Sequence, residues 1–158
     1  MSKGKTLGKW TSRGKGAKVL KDPDCIFCKI VAGEIPCAKV FESEACLAFL
    51  DIAPVHPGHV LVLPKDHHPT LMDTPAELGK DLMAALSSVS KAVMEATGAD
   101  GLNLFQNNHE AAGQLVHHVH FHLVPRHADD GLELWPQSGY DDTEEMTRLA
   151  QTIAGLLE

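Results

Sequence analysis

An α+β fold, in which an antiparallel sheet carries one long packed helix, is what this sequence predicts, and three observations carry that prediction. Short apolar runs of strand character fall into two groups, between residues 38 and 63 and between residues 102 and 124. A single long run at helical spacing, Leu78, Leu82, Leu86, Val89 and Val93, separates them. The resulting order of strands, helix, strands and a closing helix lacks the strict strand-helix alternation of parallel sheets.

The chain has 158 residues, enough for one domain with its own core, and its 44% apolar and 22% charged composition is that of a globular protein. Residues 1–22 are read as a flexible basic tail and residues 23–158 as the domain. The tail is rich in Gly, Lys and Ser without periodicity, and Trp10 is the one residue in it suited to docking. From Cys25, a helical turn over Phe27 to Val31 leads into two strands, Ala38 to Phe41 and Cys46 to Leu50, with a turn near Ser43 between them. Two prolines and a glycine interrupt the pattern over residues 51–58. His59 to Leu63 then resumes it as an apolar central strand that Pro64 ends.

Thr74-Pro75-Ala76-Glu77 reads as a helix start, with a capping Thr and a proline in the first helical position, and Gly98 supplies the stop. Leu102 to Gln106 and Val116 to Val124 read as two further strands joined by a polar loop. Asp142 to Glu145 opens a closing helix with Met146, Leu149, Ile153 and Leu156 on one face.

Charge is unevenly placed. Seven of the 14 Lys and Arg residues lie in the first 21 positions, which contain no acid, so the remainder carries seven bases against 21 acids, a net −14. An acidic body argues against non-specific nucleic-acid binding except through the tail, and any phosphate must be held by a local site. Four cysteines in a chain of this size do not make a disulfide scaffold, so reduced thiols are expected. No apolar core of a secretory signal follows the basic start, and no run approaches the roughly 20 residues of a membrane span, which points to the cytoplasm.

The chemistry concentrates in His117-His118-Val119-His120-Phe121-His122-Leu123-Val124. In a strand, side chains alternate between faces, so His118, His120 and His122 share one face and the apolar residues the other. Such a row suits metal binding or phosphate chemistry. Two of the imidazoles could hold a zinc with an open position for water. Alternatively the central imidazole is a nucleophile oriented by its neighbours. Spacing alone leaves both open. Cys25 and Cys28 form a CxxC, a signal for metal or redox chemistry; there is no second CxxC and no βαβ context for redox use.

His-Val-His-Phe-His-Leu-Val at residues 118–124 resembles the motif of the histidine triad family, in which three histidines alternate with apolar positions. Residues 25–36, Ala48-Phe-Leu-Asp-Ile-Ala-Pro54 and Pro57-Gly-His-Val-Leu-Val-Leu-Pro-Lys65 resemble the same family in the same order, so the likeness covers residues 25 to about 127. The resemblance implies an α+β homodimer that binds a purine nucleotide such as AMP or an adenylated compound and hydrolyses or transfers at its α-phosphate. It implies His120 as the nucleophile that forms a nucleotidyl-histidine intermediate, with His59 and His122 around it as orienting and phosphate-binding groups. It places Asp51 and Ile52 at the ribose and base, and Asn107, Gly113 and Gln114 at the phosphate, the last through its amide donors. Leu115 departs from the pattern, standing where the family commonly carries Ser or Thr.

Relatives with a Cys pair imply a structural zinc on Cys25, Cys28, His67 and His118, with His68 a competing neighbour of His67, and Cys37 and Cys46 left to the core. No organic cofactor is implied. Within this reading, a nucleoside phosphoramidate and a dinucleoside polyphosphate are both candidate substrates. A nucleotide-binding regulatory module with little turnover, and a hydrolase that activates water on a triad-bound zinc, are the alternatives.

Overall fold

The structure is a computed structural model and describes residues 20–133 and 136–157; Trp10 and most of the basic tail lie outside them. Two compact units divide the chain, one ending at Ala128 and the other running from Asp129.

The first unit is built on a five-stranded antiparallel sheet. Its elements are α1 (Ile26–Val31), β1 (Lys39–Glu42), β2 (Cys46–Leu50), β3 (Val60–Pro64), a 3-10 turn (Ala76–Leu78), α2 (Gly79–Thr97), β4 (Gly101–Phe105) and β5 (Phe121–Arg126). The strands lie in the order β1-β2-β3-β5-β4, so β3 and β5 are neighbours although α2 and β4 separate them in sequence. The expected antiparallel sheet with a long packed helix is what forms.

The period of two sorts the central strands between two apolar layers. Cys46 and Ala48 of β2, Val60 and Val62 of β3 and Leu123 of β5 pack with Leu82, Ala85, Leu86, Val89 and Val93 of α2. Leu47, Phe49, Leu61 and Leu63 face the other way and pack with Cys25, Phe27 and Cys28 around α1. Both faces of β2 and β3 are therefore covered, which is why those strands read as continuous apolar runs. Each buried Val or Leu on α2 contributes roughly 1.5–3 kcal/mol relative to exposure. The α1 face of β5 carries His122, opposite Leu61 in the strand register.

Three local expectations are corrected. The helix start at Thr74 is not formed by its side chain: Thr74 Oγ1 donates to the Thr70 carbonyl at 2.9 Å, and the chain passes through the 3-10 turn before α2 begins at Gly79. Gly98 does end α2, at φ +63°. The strand expected over 116–124 begins only at Phe121, so His120 precedes the strand rather than sitting in its middle. The ladder with β3 ends at Val62↔Phe121, one pair before His120 would face Leu63, and the Pro64 carbonyl accepts from His118 Nε2 at 2.9 Å. Finally, part of the segment assigned to the tail is bound to the body. Leu20 N–H donates to Asp66 Oδ1 at 3.1 Å, and its carbonyl accepts from His67 N–H at 2.9 Å.

In the second unit, α3 (Thr143–Gly155) starts as its residues demand: Asp142 Oδ1 accepts from Glu145 N–H at 2.6 Å, and the Glu145 carboxylate accepts from Asp141 N–H at 2.9 Å. Met146, Leu149, Ile153 and Leu156 are exposed.

Candidate functional site

The imidazoles on the α1 face divide into two clusters, and the partner of each ring nitrogen decides what each ring can do. His59 stands at the entry to β3. It follows Gly58, whose φ of +94° and whose missing Cβ, which would meet Thr97 Cγ2 at 2.5 Å, make glycine the residue that fits there. Val55 N–H donates to His59 Nδ1 at 3.2 Å, so in neutral His59 the proton is on Nε2. That Nε2 lies 3.0 Å from His122 Nδ1 and donates to it, leaving the remaining His122 proton on Nε2. Asp51 Oδ2 stands 3.7 Å from His59 Nδ1.

His120 is fixed by the opposite device. Its Nδ1–H donates to the His118 carbonyl at 2.6 Å, which leaves Nε2 with a lone pair and no proton. Phe27 packs edge-on against this ring, with centroids 5.1 Å apart, and His122 lies on another side at 4.9 Å. Burial holds the pKa of His120 and of His59 below the usual imidazole value. Burial, and after it repulsion from His120 and His59, pushes His122 down to about 4. Each of these shifts favours the neutral ring.

His118 is fully buried and belongs to the other cluster. Its Nε2–H is spent on the Pro64 carbonyl, so its bare Nδ1 faces Cys25 Sγ at 3.6 Å and Cys28 Sγ at 3.7 Å. His67 Nδ1 lies 3.4 Å from Cys28 Sγ. Ligating atoms of Cys25, Cys28, His67 and His118 all lie within 4.8 Å of one another. A tetrahedral zinc with ordinary Zn–S and Zn–N bonds has an S···N edge of about 3.6 Å. The four residues fit that ion in both geometry and donor type. The ring that joins them is His67, while the His68 carbonyl accepts from Val119 N–H at 2.7 Å. Of the remaining cysteines, Cys46 is in the α2 core, where burial raises its thiol to about 11, and Cys37 packs half-buried against the α1 layer.

A cavity of about 710 Å³ opens beside His120 and His122, and Asp51, Ile52, Asn107, Gly113 and Leu115 also line it. The cavity thus collects most of the residues expected to touch a substrate. His59 is not on the lining but stands behind His122, and Gln114 is absent from it with its donors already used. Its side-chain amide gives both protons to backbone carbonyls, Pro69 at 2.6 Å and Val116 at 3.0 Å, and its backbone N–H donates to the His109 carbonyl at 3.1 Å. The amide expected to donate to phosphate therefore anchors the loop instead. Its Oε1 accepts at 2.7 Å from the N–H of His109, whose φ of +67° is unusual for a side-chain-bearing residue.

Sequence reasoning missed Phe27, the Val55 N–H, the Pro64 carbonyl, and the apolar wall that Ile26, Ile30, Ile35 and Phe49 give the cavity. Of these, only Phe27 had a local signal, its place between the two cysteines. Asp22, assigned to the tail, reaches the second cluster: its N–H donates to Cys28 Sγ at 3.4 Å and its carboxylate stands 3.8 Å from His67 Nε2.

Fold and site together define a class of protein in which a backbone-oriented imidazole with a bare ring nitrogen faces a cavity of about 710 Å³ beside a closed cluster of two thiols and two imidazoles. The HIT domain model matches residues 32–129, and the chain belongs to that family. It is 45% identical over 109 residues to an adenylylsulfatase of Arabidopsis thaliana, covering 69% of this chain and 55% of that protein. With the adenosine 5′-monophosphoramidase of Schizosaccharomyces pombe it shares 40% identity over 136 residues, 85% of this chain and 98% of that one. A Zn-bound histidine triad family protein from Mycobacterium smegmatis superposes with a TM-score of 0.62 at 37% identity, covering 85% and 95% of the two chains.

Proposed function

We propose that this protein is a nucleotidyl hydrolase or transferase that cleaves at the α-phosphate of an adenosine nucleotide through an adduct on His120. The observation that carries this is the bond from His120 Nδ1–H to the His118 carbonyl, which leaves Nε2 a free base beside the cavity. In the first step Nε2 forms a bond to phosphorus while the bond from phosphorus to the leaving group breaks, its electron pair going to the leaving atom. His122 Nε2–H is the neutral donor available to that atom or to a phosphoryl oxygen, and His59 holds His122 in this tautomer. Water, or another acceptor, then attacks phosphorus and releases the nucleotide from His120.

Asp51 Oδ1 accepts from Ala53 N–H at 2.9 Å, which fixes the carboxylate to receive ribose hydroxyls. Ile52 flanks the base, Asn107 donates to phosphoryl oxygens, and Gly113 lets the chain approach them at a φ of +86°. Cys25, Cys28, His67 and His118 would hold a zinc, which would cross-link the N-terminal segment to the chain leading to His120. Four protein ligands close the coordination shell, which favours this structural role over activation of water. The names of two relatives, an adenylylsulfatase and an adenosine 5′-monophosphoramidase, support the substrate class. No helix among the described residues is long and apolar enough to cross a membrane, and a cytoplasmic homodimer fits the reading.

Brief mixing with adenosine 5′-phosphoramidate, acid quench and intact-protein mass spectrometry tests the proposal. An added AMP mass on the wild type that is absent from His120→Ala supports it. Tight AMP binding with neither adduct nor turnover would assign a nucleotide-binding regulatory module instead.

A further inference from the structure

Leu20 and Asp22 lie across the cluster of Cys25, Cys28, His67 and His118 and bond to it from outside. The Leu20 carbonyl accepts from His67 N–H at 2.9 Å, and Leu20 N–H donates to Asp66 Oδ1 at 3.1 Å. Asp22 N–H donates to Cys28 Sγ at 3.4 Å. The rest of Asp22 is held in place: its Oδ1 accepts from Asp24 N–H at 2.9 Å, and its carbonyl accepts from Cys25 N–H at 3.2 Å, closing a tight turn through Pro23. That leaves Asp22 Oδ2 facing His67 Nε2 at 3.8 Å. Asp22 thus reaches one thiol and one imidazole of the cluster without taking a ligand position. Both contacts favour the metal-bound form of the group they reach. His67 presents Nδ1 to the cluster, 3.4 Å from Cys28 Sγ, so a neutral His67 that ligates through Nδ1 carries its proton on Nε2, the nitrogen facing Asp22. A carboxylate on that side fixes the tautomer and makes Nδ1 the better donor to a metal. An N–H aimed at Cys28 Sγ is a stronger partner for a thiolate than for a thiol.

We infer that Asp22 is a positioning residue of the metal site, acting through Cys28 and His67, and that a bound metal in return fastens residues 20–22 to the body. This rests on the zinc reading above. Because ligand placement and local folding draw on the same free energy, whatever holds His67 and Cys28 in place also holds the Leu20 and Asp22 bonds made to them. Seven of the 14 Lys and Arg residues fall in the first 21 positions, so metal occupancy decides whether the root of that basic segment is tied to the domain.

The test measures zinc affinity, by competition with a chromophoric chelator, for the full-length wild type, Asp22→Asn and Asp24→Asn, and the melting temperature of each protein stripped of metal. Asp22→Asn should bind zinc about tenfold more weakly while its metal-free melting temperature stays that of the wild type. Asp24→Asn, the same loss of charge two residues away, should bind as the wild type does. In the wild type, trypsin should cut after Lys21 about fivefold or more slower with zinc than after chelation, because the fastened segment must open before it can be cleaved. Equal affinities for the wild type and Asp22→Asn, an equal weakening in Asp24→Asn, a lowered metal-free melting temperature in Asp22→Asn, or cleavage at one rate with and without zinc would overturn this inference while leaving zinc binding intact. Failure of the wild type to take up one zinc per chain would overturn the zinc reading, and this inference with it.

Discussion

His118 and His120 are two residues apart, yet their rings are wired in opposite directions. His118 spends its Nε2–H on the Pro64 carbonyl and turns a bare Nδ1 toward two thiols. His120 spends its Nδ1–H on the His118 carbonyl and keeps a bare Nε2 beside the cavity. Identical side chains thus present opposite ring nitrogens, one to a pair of thiols and one to the cavity, according to which backbone carbonyl each can reach; the proposed roles of metal ligand and nucleophile follow that division. The two clusters also share an atom path, because the residue that faces the thiols supplies the carbonyl that orients the nucleophile.

The sharpest way to break this division of labour is to remove the nucleophile alone. His120→Ala should lower kcat by about 10⁴-fold or more while leaving zinc content by metal analysis unchanged. A loss of zinc with the same substitution would mean the clusters are not separable. The converse change, Cys28→Ser, should abolish stoichiometric zinc and lower the melting temperature by about 10 °C, measured by thermal unfolding with and without a chelator. The chelator should shift the wild type and leave the variant where it is.

Smaller effects sharpen the comparison inside the catalytic cluster. His59→Phe removes the proton donor behind His122 and should cost about 10- to 100-fold in kcat with AMP affinity nearly unchanged, a split that calorimetry and steady-state kinetics together resolve. The pH response should be the mildest. The active form of His120 is neutral and its folded pKa lies below the usual imidazole value, so kcat/KM should rise with pH to a plateau reached before neutrality. His122, at about 4 in the folded protein, takes up its proton more readily when unfolded. Its contribution to stability is therefore complete above about 6.5 and lost as pH falls from there toward 4, which melting curves across that range would show.

How much of this the sequence disclosed differs from element to element. α2 was legible because five apolar side chains at helical spacing need one face of a sheet to cover them, and the left-handed Gly98 ends the run. Its start was not: Thr74 and Pro75 read as a cap, but the Thr74 hydroxyl found the Thr70 carbonyl first. The triad is legible as a motif, while the extent of its strand is not, since only the register against β3 shows the ladder ending at Phe121, before His120 would face Leu63. Leu20 and Asp22 read as tail because nothing local marks a segment whose bonds go to Asp66, His67 and Cys28.

By itself the sequence determined the periods, and with them the antiparallel layers, the long helix and the set of imidazoles and thiols available for chemistry. Tertiary structure alone decided the assignments within that set. It chose His67 over His68 as the fourth member of the cluster and made Gln114 a loop anchor instead of a phosphate donor. It also put Phe27 against His120. The physical reason is that a ring nitrogen or an amide has few bonds to give. The partners that claim them here include a carbonyl 54 residues from His118 and another 45 residues from Gln114, brought within reach by packing.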